Sequence, residues 1–135
     1  MTSNTDSLRP ELRCAIEAAQ DKKAAGVTLL DMAGMGAFTD SFLLCTGYSA
    51  RQVEAISDAI TEQVERLGFR LAHREGKDAA EWVLLDFGGF IVHIFTERAR
   101  EYYDLERLWR SARRTDFPDA APPGEAAPGR AEAEA

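Results

Sequence analysis

A chain of 135 residues that is 45% hydrophobic and 29% charged has the size and composition of a single globular domain. The net charge of −7 indicates a poor general binder of nucleic-acid backbones, since that binding relies on Lys and Arg, and favours a basic protein partner. No run approaches the ~20 apolar residues of a membrane span, and no signal peptide is evident, so we expect a cytoplasmic protein. The two cysteines form neither a zinc-binding pattern nor a disulfide framework.

The chain is predicted to begin with a helix and two strands. Apolar residues recur at helical spacing over residues 8–23, which predicts an amphipathic helix. The apolar runs at residues 27–32 and 41–46 are typical of strands. Residues 33–40, between them, contain turn-forming glycines without the rest of a dinucleotide-binding motif, and we interpret this segment as a loop.

A second helix is clearly marked over residues 50–67. Ser49 and Gln52 have the spacing of a capping box, in which side chains satisfy the free N–H groups of a first helical turn. Gly68 is suited to the left-handed residue that ends many helices. The alternating residues 69–74 then predict a third strand.

Residues 81–95 predict a β-hairpin. Two apolar runs flank Gly88-Gly89, and glycine supplies the positive φ that a two-residue turn requires. Such a turn fixes the register of the two strands. The predicted cross-strand pairs are Phe87 with Phe90, Asp86 with Ile91, Leu85 with Val92, Leu84 with His93, Val83 with Ile94, and Trp82 with Phe95.

This register divides the hairpin into two faces. The first face is wholly apolar and must be covered, most simply by helices. The second face carries an aspartate and a histidine among apolar side chains, which indicates a binding surface. The alternative is a second core layer in which both polar groups are satisfied. The second face consists of Trp82, Leu84, Asp86, Ile91, His93 and Phe95.

The C-terminal part is predicted to hold two short helices and a tail. Thr96 can cap a helix that runs through Tyr102, and a further helix is expected over residues 105–113. From residue 116 onward the composition changes to Pro, Ala, Gly and Glu, which is typical of disorder. We therefore expect one α/β domain over residues 1–115 and a disordered tail over residues 116–135.

The predicted elements define an α/β fold class. Five strands and about three helices are expected to form a single mixed sheet with the helices mainly on one side. The segment from the second strand through the capped helix to the third strand is a plausible crossover connection.

Several separated motifs together resemble one family, the bacterial ribosomal silencing factors, also called Iojap-like proteins. The match covers residues 8–109 with the spacing intact, but Gly88-Gly89 replaces the Gly-Asp that is usual at the hairpin turn. The matching motifs are Phe38-Thr-Asp40, Ser41-Phe42, Thr46-Gly-Tyr-Ser-Ala-Arg-Gln-Val53, Ile56-Ser-Asp58, Glu75-Gly76, Trp82-Val-Leu-Leu-Asp86, Gly88, Val92-His93 and Arg100-Glu-Tyr-Tyr-Asp-Leu-Glu-Arg-Leu-Trp109.

The resemblance implies a translation repressor that needs no cofactor, metal or catalytic residue. Members bind the large ribosomal subunit through its protein fourteen, block joining of the small subunit and lower translation under nutrient limitation. The resemblance further implies a nucleotidyltransferase-like fold and homodimers. No membrane and no specific nucleic-acid sequence is expected as a direct partner.

The resemblance also implies which residues bind the partner. Matching positions are Trp82, Leu85, Asp86 and His93. The hairpin register supports three of these but places Leu85 on the first, helix-covered face, so Leu85 ranks last. Leu84, Ile91 and Phe95 join the candidates because they share the second face with Trp82.

Two other functions remain open. A nucleotidyltransferase enzyme would need a carboxylate pair two residues apart on a strand to hold magnesium, and the sequence contains no Asp-x-Asp. A homodimeric adaptor with a non-ribosomal partner would use the same apolar patch, because such patches mark association without naming the partner.

Overall fold

The computed structural model describes residues 8–77 and 81–119, and within them the chain forms one mixed sheet and four helices. The helices are α1 (Pro10–Asp21), α2 (Ala50–Arg66), α3 (Glu97–Tyr103) and the single turn α4 (Leu105–Leu108). The strands are β1 (Ala25–Asp31), β2 (Ser41–Gly47), β3 (His73–Lys77), β4 (Trp82–Asp86), β5 (Phe90–Thr96) and β6 (Arg113–Asp116).

The sheet has the strand order β3-β4-β5-β2-β1-β6. Strands β2 and β5 pair in parallel, and the other four pairings are antiparallel. The predicted α/β class and mixed sheet are confirmed. The predicted number of strands is wrong, because the described residues form six strands rather than five.

Helices lie on both faces of the sheet. The apolar sides of α1 and α2 pack with the first face around buried aliphatic residues that include Ile16, Ile56 and Leu85. The shorter α3 and α4 pack against the second face around Leu44 and Phe95. The prediction of helices mainly on one side therefore holds only for the two long helices.

The hairpin has the predicted register at every pair between β4 and β5. Its turn is closed by the N–H of Phe87, which donates to the carbonyl of Phe90 over 3.0 Å. Gly88 has a φ of +91°, in the left-handed region that side chains disfavour, so one of the two turn glycines is required by backbone geometry. The first face follows as predicted, with Val83, Leu85 and their partners buried.

The capping box at the start of α2 is also present. The Ser49 hydroxyl oxygen accepts from the N–H of Gln52 over 3.1 Å, and the Gln52 side-chain oxygen accepts in return from the N–H of Tyr48. The first bond satisfies a donor that the first helical turn cannot pair internally, and the second holds the residue before the N-cap.

The third strand lies three to four residues later than predicted. The alternation of residues 69–74 favoured a strand there, but β3 begins at His73, where backbone pairing with Asp86 of β4 sets its position. The expected crossover through α2 does join two parallel strands. However, β4 and β5 lie between β2 and β3 in the sheet.

The predicted domain boundary at residue 116 falls inside an ordered element. The helix expected to reach residue 113 ends at Leu108, and β6 then pairs with β1 through Asp116. Phe117 is buried, and its N–H donates to the carbonyl of Val27 over 2.9 Å. The remainder of the predicted tail, residues 120–135, lies outside the described residues.

Candidate protein-interaction surface

The second face of the hairpin is covered only in part. Trp82, Leu84 and Asp86 of β4 and Ile91 of β5 are all partly exposed, and Phe42 of β2, which pairs with Ile91, is partly exposed beside them. These five side chains form what we call the open patch. It is an aromatic and aliphatic surface with one carboxylate.

Three of the residues predicted to bind a partner are not on the surface. Leu85 is fully buried on the first face, beneath the long helices, so it has no surface to offer a partner. Phe95 and His93 lie on the second face but are only 1% and 4% exposed. Both support the open patch from below, while Trp82, Leu84, Asp86 and Ile91 remain accessible.

Trp82 and His93 are joined by a hydrogen bond. The indole N–H of Trp82 donates to Nδ1 of His93 over 3.1 Å. An imidazole that accepts at Nδ1 in its neutral form carries its proton on Nε2. That Nε2 atom is buried and has no hydrogen-bond partner among the described residues. The histidine is thus fixed in one tautomer by the tryptophan.

Burial keeps His93 uncharged. Removal from water lowers the pKa of His93 from 6.5 to about 4, because desolvation disfavours the imidazolium. Its neighbours are the rings of Phe42, at 4.7 Å between centroids, and Phe95, at 6.1 Å. The hydrogen bond from Trp82 also favours the neutral form, since a protonated imidazole cannot accept at Nδ1.

Aromatic rings hold Trp82 in place. The Trp82 ring stacks on Phe95 at a centroid distance of 5.2 Å and meets Tyr103 of α3 at 4.4 Å. On the far side, Phe42 makes an edge contact with Trp109 at 6.1 Å. No local sequence pattern marks Phe42 as part of this surface, because its position follows from the parallel pairing of β2 with β5.

Asp86 has a local structural role. One of its carboxylate oxygens accepts from the N–H of Gly88 over 2.8 Å, which fixes the start of the hairpin turn. A carboxylate has about four acceptor positions, so this bond leaves capacity for a partner's donor. Both interpretations of this residue, as a turn residue and as a binding residue, are compatible with its position.

The described residues bring together no group of three or more His, Cys, Asp or Glu side chains that could hold a metal ion. Among the thiols, Cys45 is fully buried, and desolvation raises its pKa to about 12, so it stays protonated and unreactive. Over the same residues, no helix has the length and apolar character needed to cross a membrane.

These features define a class of protein. The fold is a small α/β domain in which one sheet face is sealed by two long helices and the other displays an aromatic patch. Such a patch, with aromatic anchors and few polar groups, is typical of a surface that recognises another macromolecule. We therefore classify the chain by its surface as an interaction module.

Comparison with known proteins identifies the family. Residues 5–135 match the profile of the family described as "Ribosomal silencing factor during starvation". A relative from Bacillus subtilis, named "Ribosomal silencing factor RsfS", is 42% identical over 106 residues, which cover 78% of this chain and 90% of that protein. The chain therefore belongs to the ribosomal silencing factor family.

Two further matches extend the comparison. A crystal structure of a protein from Chromobacterium violaceum has a TM-score of 0.72 and 32% sequence identity, and the match covers 84% of this chain and 94% of that one. A mouse protein named "Mitochondrial assembly of ribosomal large subunit protein 1" is 35% identical over 75 residues, which are 53% of this chain and 33% of that protein.

Proposed function

We propose that the chain represses translation by binding the large ribosomal subunit through its protein fourteen and blocking the small subunit from joining. The family resemblance implies that this repression occurs when nutrients are limited. The observation that carries the proposal is the open patch, which lies on a sheet face that the long helices leave free. Repression by occupation of a surface needs no catalytic group. The proposed place of action is the cytoplasm.

The chemistry of the open patch supports a basic protein as the partner. Its apolar side chains supply area that is removed from water on binding, and its aspartate can accept a charge-assisted bond from a Lys or Arg. The net charge of −7 favours approach to a basic surface and opposes approach to exposed ribosomal RNA.

The hydrogen bond between Trp82 and His93 determines how the tryptophan can act. Because its N–H already donates to His93, Trp82 offers a partner the apolar surface of its ring. His93, in turn, positions the indole from below. In this proposal Trp82 and Ile91 contact the partner, while His93 and Phe95 act through Trp82.

A subunit-joining assay tests the proposal. Purified large and small bacterial subunits are mixed with the chain in magnesium, and the joined fraction is read on a density gradient. The wild type is expected to travel with the large subunit and suppress joining. Ile91→Arg is expected to abolish both effects, because it places a positive charge against a basic partner at a partly exposed position.

Two other variants complete the assay. Ala55→Arg adds the same charge at an exposed position of α2, on the other side of the sheet, and is expected to behave as wild type. Trp82→Ala is expected to lose binding, once circular dichroism shows that the variant is folded. A wild type that stays at the top of the gradient and leaves joining unchanged would contradict the proposed function.

A homodimer is the second proposed association, since the open patch could equally receive another copy of the chain. If both partners use this patch, dimerisation and subunit binding compete, and dilution increases the fraction able to bind the ribosome. Cross-linked dimers that still travel with the large subunit would rule out this competition.

The nucleotidyltransferase-like fold and the corresponding enzyme remain a separate hypothesis, carried only by the family resemblance. Isothermal titration of the chain with nucleoside triphosphates and magnesium addresses it. We expect no binding tighter than about millimolar, which corresponds to roughly 4 kcal/mol. Tighter binding would revive the enzymatic hypothesis.

A further inference from the structure

One aromatic side chain outside the open patch is unusually exposed. Phe38, in the loop between β1 and β2, has a relative exposure of 105%, the highest among the large apolar side chains in the described part of the chain. Full exposure of an aromatic ring places its apolar surface in water, which the hydrophobic effect disfavours. A partner that covers the ring would remove this cost.

The backbone beside Phe38 is held firmly. The next residue, Thr39, is buried, and its hydroxyl donates to the carbonyl of Gly88 over 3.0 Å. The N–H of Asp40 donates to the carbonyl of Gly89 over 3.2 Å. These two bonds attach the loop to the hairpin turn. The phenyl ring is therefore presented from an anchored segment, which lowers the entropy lost when a partner binds it.

The same bonds place Phe38 at the edge of the open patch. Gly88, which accepts from Thr39, donates its own N–H to Asp86 of the open patch. On the preceding side, Ala37 and Met35 pack against the buried cluster of the second face. The loop thus borders the second face at the end of the open patch that carries Asp86 and Ile91, the pair next to the hairpin turn, whereas Trp82 lies at the far end of β4.

We propose that Phe38 is an outer aromatic anchor of the partner-binding surface, inserted into an apolar pocket on a basic protein of the large ribosomal subunit. This inference rests on the proposed function and adds Phe38, which belongs to a motif shared with the family but is not among the residues predicted to bind the partner. The phenyl ring supplies apolar area at the rim, and the open patch supplies the centre of the contact.

The charges around Phe38 favour a protein over RNA. A phenyl ring can also stack on an unpaired base, but such sites combine stacking with a positively charged groove. Here Asp40 is exposed two residues after the ring, and Asp86 follows through the turn. Arg9 and Arg113 line one hollow together with Asp31 and Asp40, so the charges there balance and form no positively charged groove.

The test is the affinity of the full chain for purified bacterial large subunits, measured by co-sedimentation over a concentration series. Phe38→Ala removes a ring that is wholly exposed, so the fold is expected to be unaffected. We expect about a tenfold weaker affinity for Phe38→Ala, and an affinity within about twofold of wild type for Phe38→Trp, which retains an aromatic ring.

Tyr48→Ala provides the matched control. Tyr48 is also an exposed aromatic residue, at 70%, but it follows β2 and so lies at the opposite end of that strand. Its removal is expected to leave the affinity unchanged. An equal loss for Tyr48→Ala and Phe38→Ala would overturn the inference, because it would show a non-specific effect of aromatic exposure.

The remaining outcomes separate this inference from the proposed function. If Phe38→Ala binds as wild type while Ile91→Arg does not bind, the inference fails and the proposed function stands. If the wild type itself does not sediment with the subunit, both fail. A Phe38→Ala variant that changes only the monomer–dimer equilibrium, or only binding to protein-free ribosomal RNA, would likewise overturn the inference.

Discussion

The two faces of the sheet are covered by helices of very different length. The first face lies beneath α1 and α2, of 12 and 17 residues, and its hairpin residues are aliphatic or phenylalanine and buried. The second face is covered by α3 and α4, of seven and four residues, and it retains a histidine, an aspartate and a partly exposed tryptophan. The first face thus stabilises the fold, and the second has exposed surface that a partner can bury on binding.

Adjacent leucines on β4 test this contrast most strongly. Leu85 is fully buried on the first face, and Leu84 is partly exposed on the second. We expect Leu85→Ala to lower the free energy of unfolding by about 4 kcal/mol, because it removes buried methyl groups and leaves a cavity. Leu84→Ala is expected to cost less than about 1 kcal/mol.

Urea denaturation followed by circular dichroism measures both losses. The affinity for the large subunit is expected to show the reverse order. Leu84→Ala should bind more weakly than wild type, whereas the folded fraction of Leu85→Ala should bind with unchanged affinity. Equal stability losses for the two variants would show that the faces do not differ in the way that their burial indicates.

Protonation of His93 provides a second test of how the two faces differ, because this buried titratable group lies on the second face. The pKa of His93 is about 4 in the folded state, below the ordinary value of 6.5. Between these two pH values the unfolded chain therefore binds more protons than the folded chain. Stability is therefore lost as the pH falls through this window. From about pH 7 to about pH 5 the expected loss is about 2 kcal/mol.

The His93→Gln variant is the control for that loss. Glutamine cannot titrate, yet its side-chain oxygen can still accept from the indole N–H of Trp82. The other histidine, His73, is exposed and remains in both proteins, so its contribution cancels. Parallel pH dependence of unfolding in wild type and variant would show that the burial of His93 does not set the acid sensitivity.

The hairpin shows how far the sequence could predict this structure. Two glycines between apolar runs imply a two-residue turn, and that turn fixes every cross-strand pair and hence both faces. Even the contact between Trp82 and His93 follows from this register. Trp82 pairs with Phe95, and His93 is the diagonal neighbour two residues away, within reach of a large side chain.

Strand β6 shows why the rest could not be predicted. Its residues, Arg113–Asp116, include no apolar side chain, so periodicity gives no signal. The strand forms because backbone pairing with β1 is available and because the Thr28 hydroxyl donates to a carboxylate oxygen of Asp116 over 2.8 Å. Such long-range contacts depend on the folded sheet and leave no local pattern.

The candidate site was predictable only as far as its strands. The register correctly places Trp82, Asp86 and His93 on one face. However, His93 is buried partly by Phe42 from β2, and Trp82 is packed against Tyr103 from α3. The parallel pairing that brings Phe42 there joins segments far apart in the chain. A local reading therefore selects the correct face but not the residues that are exposed on it.

The smallest expected effect is at the Gly88-Gly89 turn, which sets the register of β4 and β5 and so determines which residues lie on each face. Gly88 has a positive φ and Gly89 does not, so Gly88→Asp is expected to lower the free energy of unfolding by about 1 kcal/mol. Gly89→Asp is expected to cause no loss, because a Cβ there would meet Nη1 of Arg9 at an ordinary 3.5 Å and bring a carboxylate near a guanidinium. Urea denaturation of both variants measures the difference. Equal losses would mean that side-chain contacts, rather than backbone conformation, limit what this turn accepts.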